Sequence, residues 1–189
     1  DLDSFTVQAW VFPTTPEKGA QGLISNWDEA TASGFVLMID DSGGAAMRLG
    51  DGKGGTVEVS VDKPLAKRRW HLVSAAYDAE ASTLTVTQDF IGPQFEVSTT
   101  ATATGSVGFT PAMGSTQPLI MAAIPATHPT GRPGASHPFN GKLDRPRIVG
   151  SALSVADSAT LGWDALPFER DTSVIAAWDF SREIGSTTV

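Results

Sequence analysis

The stretch Phe5-Thr-Val-Gln-Ala-Trp-Val-Phe12 decides how the rest of the chain is read. Phe5, Val7, Ala9 and Val11 fall on one face of an extended chain, while Thr6 and Gln8 point the other way. The same period of two returns in TVEVSV, where Val57, Val59 and Val61 turn inward and Thr56, Glu58 and Ser60 outward. WHLVSAAY, STLTVTQ, FEVST, PLIMAAI, RPRIV and VIAAWDF add runs rich in branched and aromatic residues. Turn formers separate them at Pro13–Pro16, Ser33-Gly34, Asp40–Gly44, Gly50–Gly55, Asp62–Pro64 and Asp78–Ala81. This spacing of short strands predicts an all-β fold, an antiparallel two-sheet jelly-roll sandwich.

Only one stretch reads as helix. Ser154 can cap Val155–Leu161, Asp157 suits the positive N-terminal turn, and Gly162 is placed to end it. A doubly wound α/β fold needs many longer helices and is excluded. Residues 125–141, with four Pro, three Gly and two His, read as a long surface loop, and the TTATAT run at 99–104 as an exposed or edge strand. The sandwich is expected to fill residues 1–180, with 181–189 beginning a linker to a further domain. The opening Asp1-Leu-Asp-Ser4 has no Met, basic segment or apolar segment, so the chain reads as a domain excised from a longer protein.

The 189 residues are 41% hydrophobic, carry 13 basic against 21 acidic side chains, and include no cysteine. A chain of this size buries enough surface to fold without disulfide or metal. The net charge of −8 argues against a phosphate-backbone partner, and Lys67-Arg-Arg69 is too short to reverse that. Without cysteine there is neither thiol nucleophile nor zinc ribbon. No apolar run approaches the roughly 20 residues of a membrane span.

The residue patterns also limit chemistry. Glycoside hydrolysis needs two carboxylates roughly 5–9 Å apart, yet the closest of the seven Glu are twelve residues apart in sequence. Glu58 and Asp62 read as an outward strand position and a turn former. His71 lies mid-strand and reads as structural; His128 and His137, each before a Pro, read as solvated loop residues. Neither a GxSxG elbow nor a GxxxxGK[ST] loop is present. Rim calcium is open to Asp28-Glu29, Asp40-Asp41, Asp51, Asp78 and Asp89, although D-S-G-G and D-G-K-G-G are equally ordinary turns. Of the five Trp, Trp70 and Trp178 read as core. Trp27, followed by Asp28, is the candidate for an exposed stacking residue near the rim, against the alternative of a buried Trp closing one end.

Several segments, taken in order, resemble a known family. These are Phe5–Val11, Gly22-Leu-Ile-Ser, Gly34-Phe-Val-Leu-Met-Ile-Asp40, Pro64-Leu, Trp70-His-Leu-Val-Ser-Ala-Ala-Tyr-Asp78, Phe139-Asn-Gly-Lys-Leu-Asp-Arg-Pro-Arg-Ile148 and Ser151-Ala-Leu-Ser. They are similar to the successive strands and closing segment of laminin-G-like, concanavalin-A-like jelly rolls. The chain departs from that pattern at Thr87-Gln-Asp-Phe-Ile-Gly92, where many members have a VDG hairpin. The tail Ile175-Ala-Ala-Trp-Asp-Phe-Ser-Arg-Glu-Ile-Gly-Ser186 resembles, more narrowly, the lectin-like domain of the large subunit of bacterial N,N-dimethylformamidase.

That narrower resemblance implies an iron-dependent amidohydrolase that converts dimethylformamide to dimethylamine and formate. In it a jelly roll joins a catalytic core carrying the metal-binding Tyr and Glu, and a small subunit completes the enzyme. The iron site would then follow Val189, and the location would be cytoplasmic. The chain itself is expected to be a non-catalytic accessory domain serving packing, assembly or ligand binding. Two other readings stand beside it: a calcium-assisted carbohydrate-binding module using Trp27 and Asp28, and a structural adhesion domain.

Overall fold

β1 (Phe5–Pro13) runs through the middle of the molecule, and nearly all of it is buried on both faces. The computed structural model describes residues 3–92, 97–127, 130–163 and 173–180. After β1 come β2 (Gln21–Asp28), β3 (Ser33–Ile39), β4 (Ala45–Gly50), β5 (Thr56–Ser60), β6 (Trp70–Asp78) and β7 (Thr83–Ile91). β8 (Ala101–Ser106), β9 (Ile120–Met121), β10 (Ile124–Thr127), β11 (Pro133–Ser136) and β12 (Gly141–Val149) follow. A helix, α1 (Val155–Trp163), then precedes β13 (Val174–Ala177). His128 and the tail from 181 lie outside the described residues.

The strands form an antiparallel sandwich. One sheet has the order β13-β12-β1-β6-β7-β8 and the other β5-β4-β3-β2-β9, with β10-β11 a separate hairpin. The last four residues of TTATAT open β8, an edge strand of the six-stranded sheet, while Thr99 and Thr100 precede it. Between the sheets lie Phe5, Val7, Ala9 and Val11 of β1, facing Leu37, Ile39, Met47 and Leu49 of the other sheet and Val73, Ala75, Leu84 and Val86 beside them. Phe5 packs its ring on Phe35 and Tyr77, with centroids 6.2 and 5.8 Å apart. Burying such side chains contributes roughly 1.5–3 kcal/mol each.

Thr6 and Gln8 do point away from this core, but they do not reach water. α1 lies over their face of the sheet. Thr6 Oγ1 donates to the Ser151 carbonyl (2.8 Å) and accepts the Leu153 N–H (2.9 Å), while Ser74 Oγ meets Ser158 Oγ at 3.2 Å. Ser154 caps α1: its Oγ accepts the Asp157 N–H at 3.1 Å and donates to the Asp157 carboxylate at 2.6 Å. Gly162 does not terminate that helix. It sits inside it, where a Cβ would press on Leu72 at 2.5 Å, so the missing side chain serves close approach of helix to sheet.

Two further expectations are corrected. The 125–141 stretch is not one long loop: β10 and β11 pair within it, from Ile124 opposite Ser136 to Thr127 opposite Pro133. A two-stranded ribbon leaves each strand an outer edge, which tolerates Pro125 and Pro133. In FEVST, Val97–Thr99 are not strand; Phe95 and Glu96 lie outside the described residues. Asp89-Phe-Ile91 continues β7 rather than forming a hairpin.

Candidate functional site

The two sequence candidates are neighbours on β2, and adjacent strand residues face opposite ways. Trp27 belongs to a small apolar cluster with Ala32, Val36, Met38, Ala46 and Ile124 on the outer side of the five-stranded sheet. It is 3% exposed, and its indole Nε1 donates to Glu29 Oε2 at 2.7 Å. The ring therefore floors a polar hollow of ≈ 370 Å³ and offers no stacking face, which corrects the exposed-platform reading. The hollow is rimmed by Arg48 and Glu58, an exposed ion pair at 2.8 Å. Asp28 instead turns to the sandwich end. Its Oδ1 accepts the Ala30 N–H (2.9 Å) and its Oδ2 the Thr116 hydroxyl (3.3 Å).

The other rim acids are engaged in their own turns. Asp40 Oδ1 accepts from Ser42 and Gly44, and Asp51 Oδ1 from Lys53 and Gly55. Asp78 Oδ1 accepts from Glu80 and Ala81. Hydrogen bonds from Ser60 and Ser42 hold the Asp40 carboxyl below the usual range against the opposing cost of its burial. Among the described residues no group of three His, Asp or Glu is placed to hold a metal ion. Tyr77 is buried at 3% exposure with its ring against Phe5.

His71 is fully buried on β6. Its Nε2 accepts the Ala66 N–H (3.2 Å) and the Thr99 hydroxyl (2.8 Å), which makes Nδ1 the protonated nitrogen, donating to the Arg69 carbonyl (3.1 Å). Burial pushes its pKa down to about 4. The ring is a strut, as its strand position implied. His137 is exposed, with Nδ1 2.9 Å from Ser136 Oγ.

A second concave site was missed in sequence. β1, β6, β7 and β12 align two rows across the outer face of the six-stranded sheet. In one row Trp10 lies between Asp144 and Leu72; in the next, Phe12 follows Lys142, and Trp70 pairs with Ile91. Trp70 is thus half-buried on the outer face rather than in the core. Trp10, Trp70, Ile91, Asp144 and Arg145 enclose a cleft of ≈ 200 Å³. Trp10 is fixed by its Nε1–H to the Gly162 carbonyl (2.8 Å), and Trp70 by a tilted contact with Phe12 at 5.4 Å. Lys142 Nζ stands 5.5 Å over the Phe12 ring.

The chain matches the concanavalin A-like lectin/glucanases superfamily over residues 1–157. It is 32% identical, over 96% of its length, to the N,N-dimethylformamidase beta subunit of Paracoccus aminophilus, covering 24% of that protein. The chain therefore spans about a quarter of this curated relative. Its fold is similar to a putative carbohydrate binding protein from Bacteroides ovatus (TM-score 0.65, 16% identity, 96% of this chain and 46% of that one). It is also similar to the CBM40 of the Ruminococcus gnavus IT-sialidase (TM-score 0.62, 18% identity, 86% and 84% of the two chains). These structural likenesses establish the lectin-like fold.

Proposed function

Since this chain belongs to the concanavalin A-like lectin/glucanases superfamily, we propose that it is the lectin-like accessory domain of a larger amide hydrolase of the N,N-dimethylformamidase beta-subunit kind. The observation that carries this reading is the match at 32% identity along 96% of the chain to only 24% of a much longer subunit. A domain that accounts for a quarter of such a chain leaves room for the catalytic centre elsewhere. The side chains support the same division: the rim carboxylates are spent on turns and His71 on a buried strut, so neither is poised for proton transfer. Its role is to pack against the catalytic core of its parent chain and to contribute to assembly with a small subunit.

The test is an amide-hydrolysis assay on the 189-residue chain with dimethylformamide, reading formate and dimethylamine, beside the full-length parent protein. The parent is expected to turn over and the isolated chain to give only the blank rate. Formate release by the isolated chain would overturn the reading.

A further inference from the structure

We propose that the domain packs on the catalytic core of its parent chain through the outer face of the six-stranded sheet beyond α1, where Phe12, Trp70 and Ile91 form an apolar row framed by Lys142 and Arg145. This rests on the accessory-domain reading and names the face that reading requires. The occupant is a surface of that core presenting carboxylates around a protruding aliphatic or aromatic side chain.

The row crosses four neighbouring strands. Lys142 of β12 pairs with Phe12 of β1, Phe12 meets Trp70 of β6 at 5.4 Å, and Trp70 pairs with Ile91 of β7. Three strand spacings make it about 14 Å long. α1 is tied to the sheet no further than Trp10, so Phe12, Trp70 and Ile91 remain half-buried. Aromatic side chains and Arg are the types that dominate the centres of protein contacts, because a stiff planar group buries much area at little entropic cost.

Charge selects the partner. Lys142 Nζ stands 5.5 Å over the Phe12 ring, and Arg145 lines the cleft beside Trp70. Arg68 is brought against the end of β1 by its N–H to the Pro13 carbonyl (2.7 Å). In the adjoining row, Asp144 accepts the Arg145 backbone N–H (2.9 Å) and Asp89 the Thr100 hydroxyl (3.1 Å). The three cations outweigh these engaged carboxylates and locally reverse the chain's net charge of −8, so the face suits an acidic one.

The size of the face favours a tethered partner. Half-buried aromatic and Ile side chains leave an apolar centre on the order of 200 Å². The non-polar share of a stable interface between separate chains is roughly 450 Å² per partner. A partner joined to the domain needs less, because linkage supplies effective concentrations on the order of mM. The chain covers 24% of the N,N-dimethylformamidase beta subunit it matches, so most of such a subunit is available as that tethered partner.

The experiment compares hydroxyl-radical labelling, read by mass spectrometry, of the 189-residue chain, whose two sheets close on a core of their own, and of the full-length parent subunit. Labelling of Trp70 and Phe12 is expected to slow about fivefold in the parent, with buried Trp27 unreactive in both. Lys142→Glu combined with Arg145→Glu should leave the Tm of the 189-residue chain unchanged, since the Arg145 bond to Asp144 comes from the backbone. In the parent the same pair should return Trp70 labelling to within about twofold of the isolated chain. Equal Trp70 labelling in chain and parent overturns the proposal. So does protection of the exposed Val155, Ile175 and Phe180 with Trp70 left reactive. Protection that needs an added small subunit, or that grows with the concentration of the 189-residue chain alone, assigns the face to a separate chain or a second copy and overturns it as well. A parent that protects Trp70 but releases no formate from dimethylformamide overturns the amide-hydrolase reading and leaves this face standing; formate release with Trp70 fully reactive does the reverse.

Discussion

Lowering the pH from 7.5 to 4 should destabilise this domain chiefly through one imidazole. His71 is buried with Nε2 facing two donors, the Ala66 N–H and the Thr99 hydroxyl. A proton added at Nε2 would set N–H against N–H at a buried ring. Burial lowers the folded pKa from 6.5 to about 4, opposed only in part by the Arg69 carbonyl that receives the other ring N–H. The folded-state pKa is the depressed one, so the unfolded chain takes the proton first. The contribution is complete above pH 6.5 and is lost as pH falls through the window down to about 4. The slope there is about 1.4 kcal/mol per pH unit, and the total loss about 3 kcal/mol. That is a large share of the roughly 5–15 kcal/mol by which domains are stable.

Urea unfolding at half-unit steps from pH 7.5 to 4.5 would read this slope. His71→Gln is the comparator, since its Oε1 can accept the same two hydrogen bonds but does not titrate. The variant should start less stable at pH 7.5 and then lose little further stability down to pH 4.5. Asp40, whose carboxyl is already held below the usual range, releases its own contribution only under that window. Parallel pH profiles for the two proteins, or an NMR titration placing His71 near 6.5, would refute the reasoning.

Three other substitutions test the packing. Ser154→Ala removes the hydroxyl that makes both hydrogen bonds of the α1 cap and should cost about 1 kcal/mol in chemical unfolding. Gly50→Ala places a Cβ into the Ala32 carbonyl and 3.0 Å from the Trp27 ring, so it should cost about 1–3 kcal/mol and red-shift the Trp27 emission. Gln8→Met removes both amide atoms of a buried side chain that makes no hydrogen bond among the described residues, and should raise stability by about 1 kcal/mol in thermal unfolding.

Strand positions were legible because the period of two survives any tertiary context. The cap of α1 was legible because Ser154 and Asp157 act within one turn. What periodicity does not say is which face is inside. Trp70 shares its face with Leu72 and Ser74, and that face is the outer one, covered over Leu72 by α1 and open over Trp70. Gly162 looked like a helix stop because glycine's conformational freedom is visible in sequence, while its use for close approach depends on Leu72, ninety residues earlier. Trp27 was correctly placed at a strand end. Its burial depends on Ala32, Val36, Ala46 and Ile124, which come together only when β3, β4 and β10 assemble.

The position of the cleft then follows from a mismatch of lengths. α1 and β1 each have nine residues. At about 1.5 Å per helical residue and 3.3 Å per strand residue, the helix spans about 13 Å against about 30 Å of strand. It can therefore cover only part of the sheet. Its cover begins at Thr6, where the capping segment is tied down, and ends at Trp10, whose indole bonds the Gly162 carbonyl. Residues one step further along β1 and β6, Phe12 and Trp70, lie past that last tie, and the aromatic pair is left to be shielded by Lys142 over Phe12 and by Ile91 beside Trp70. The indole of Trp10 is thus both the final contact of the helix and the first wall of the cleft. A substitution that frees it from Gly162, Trp10→Phe, should loosen the helix end and the cleft together.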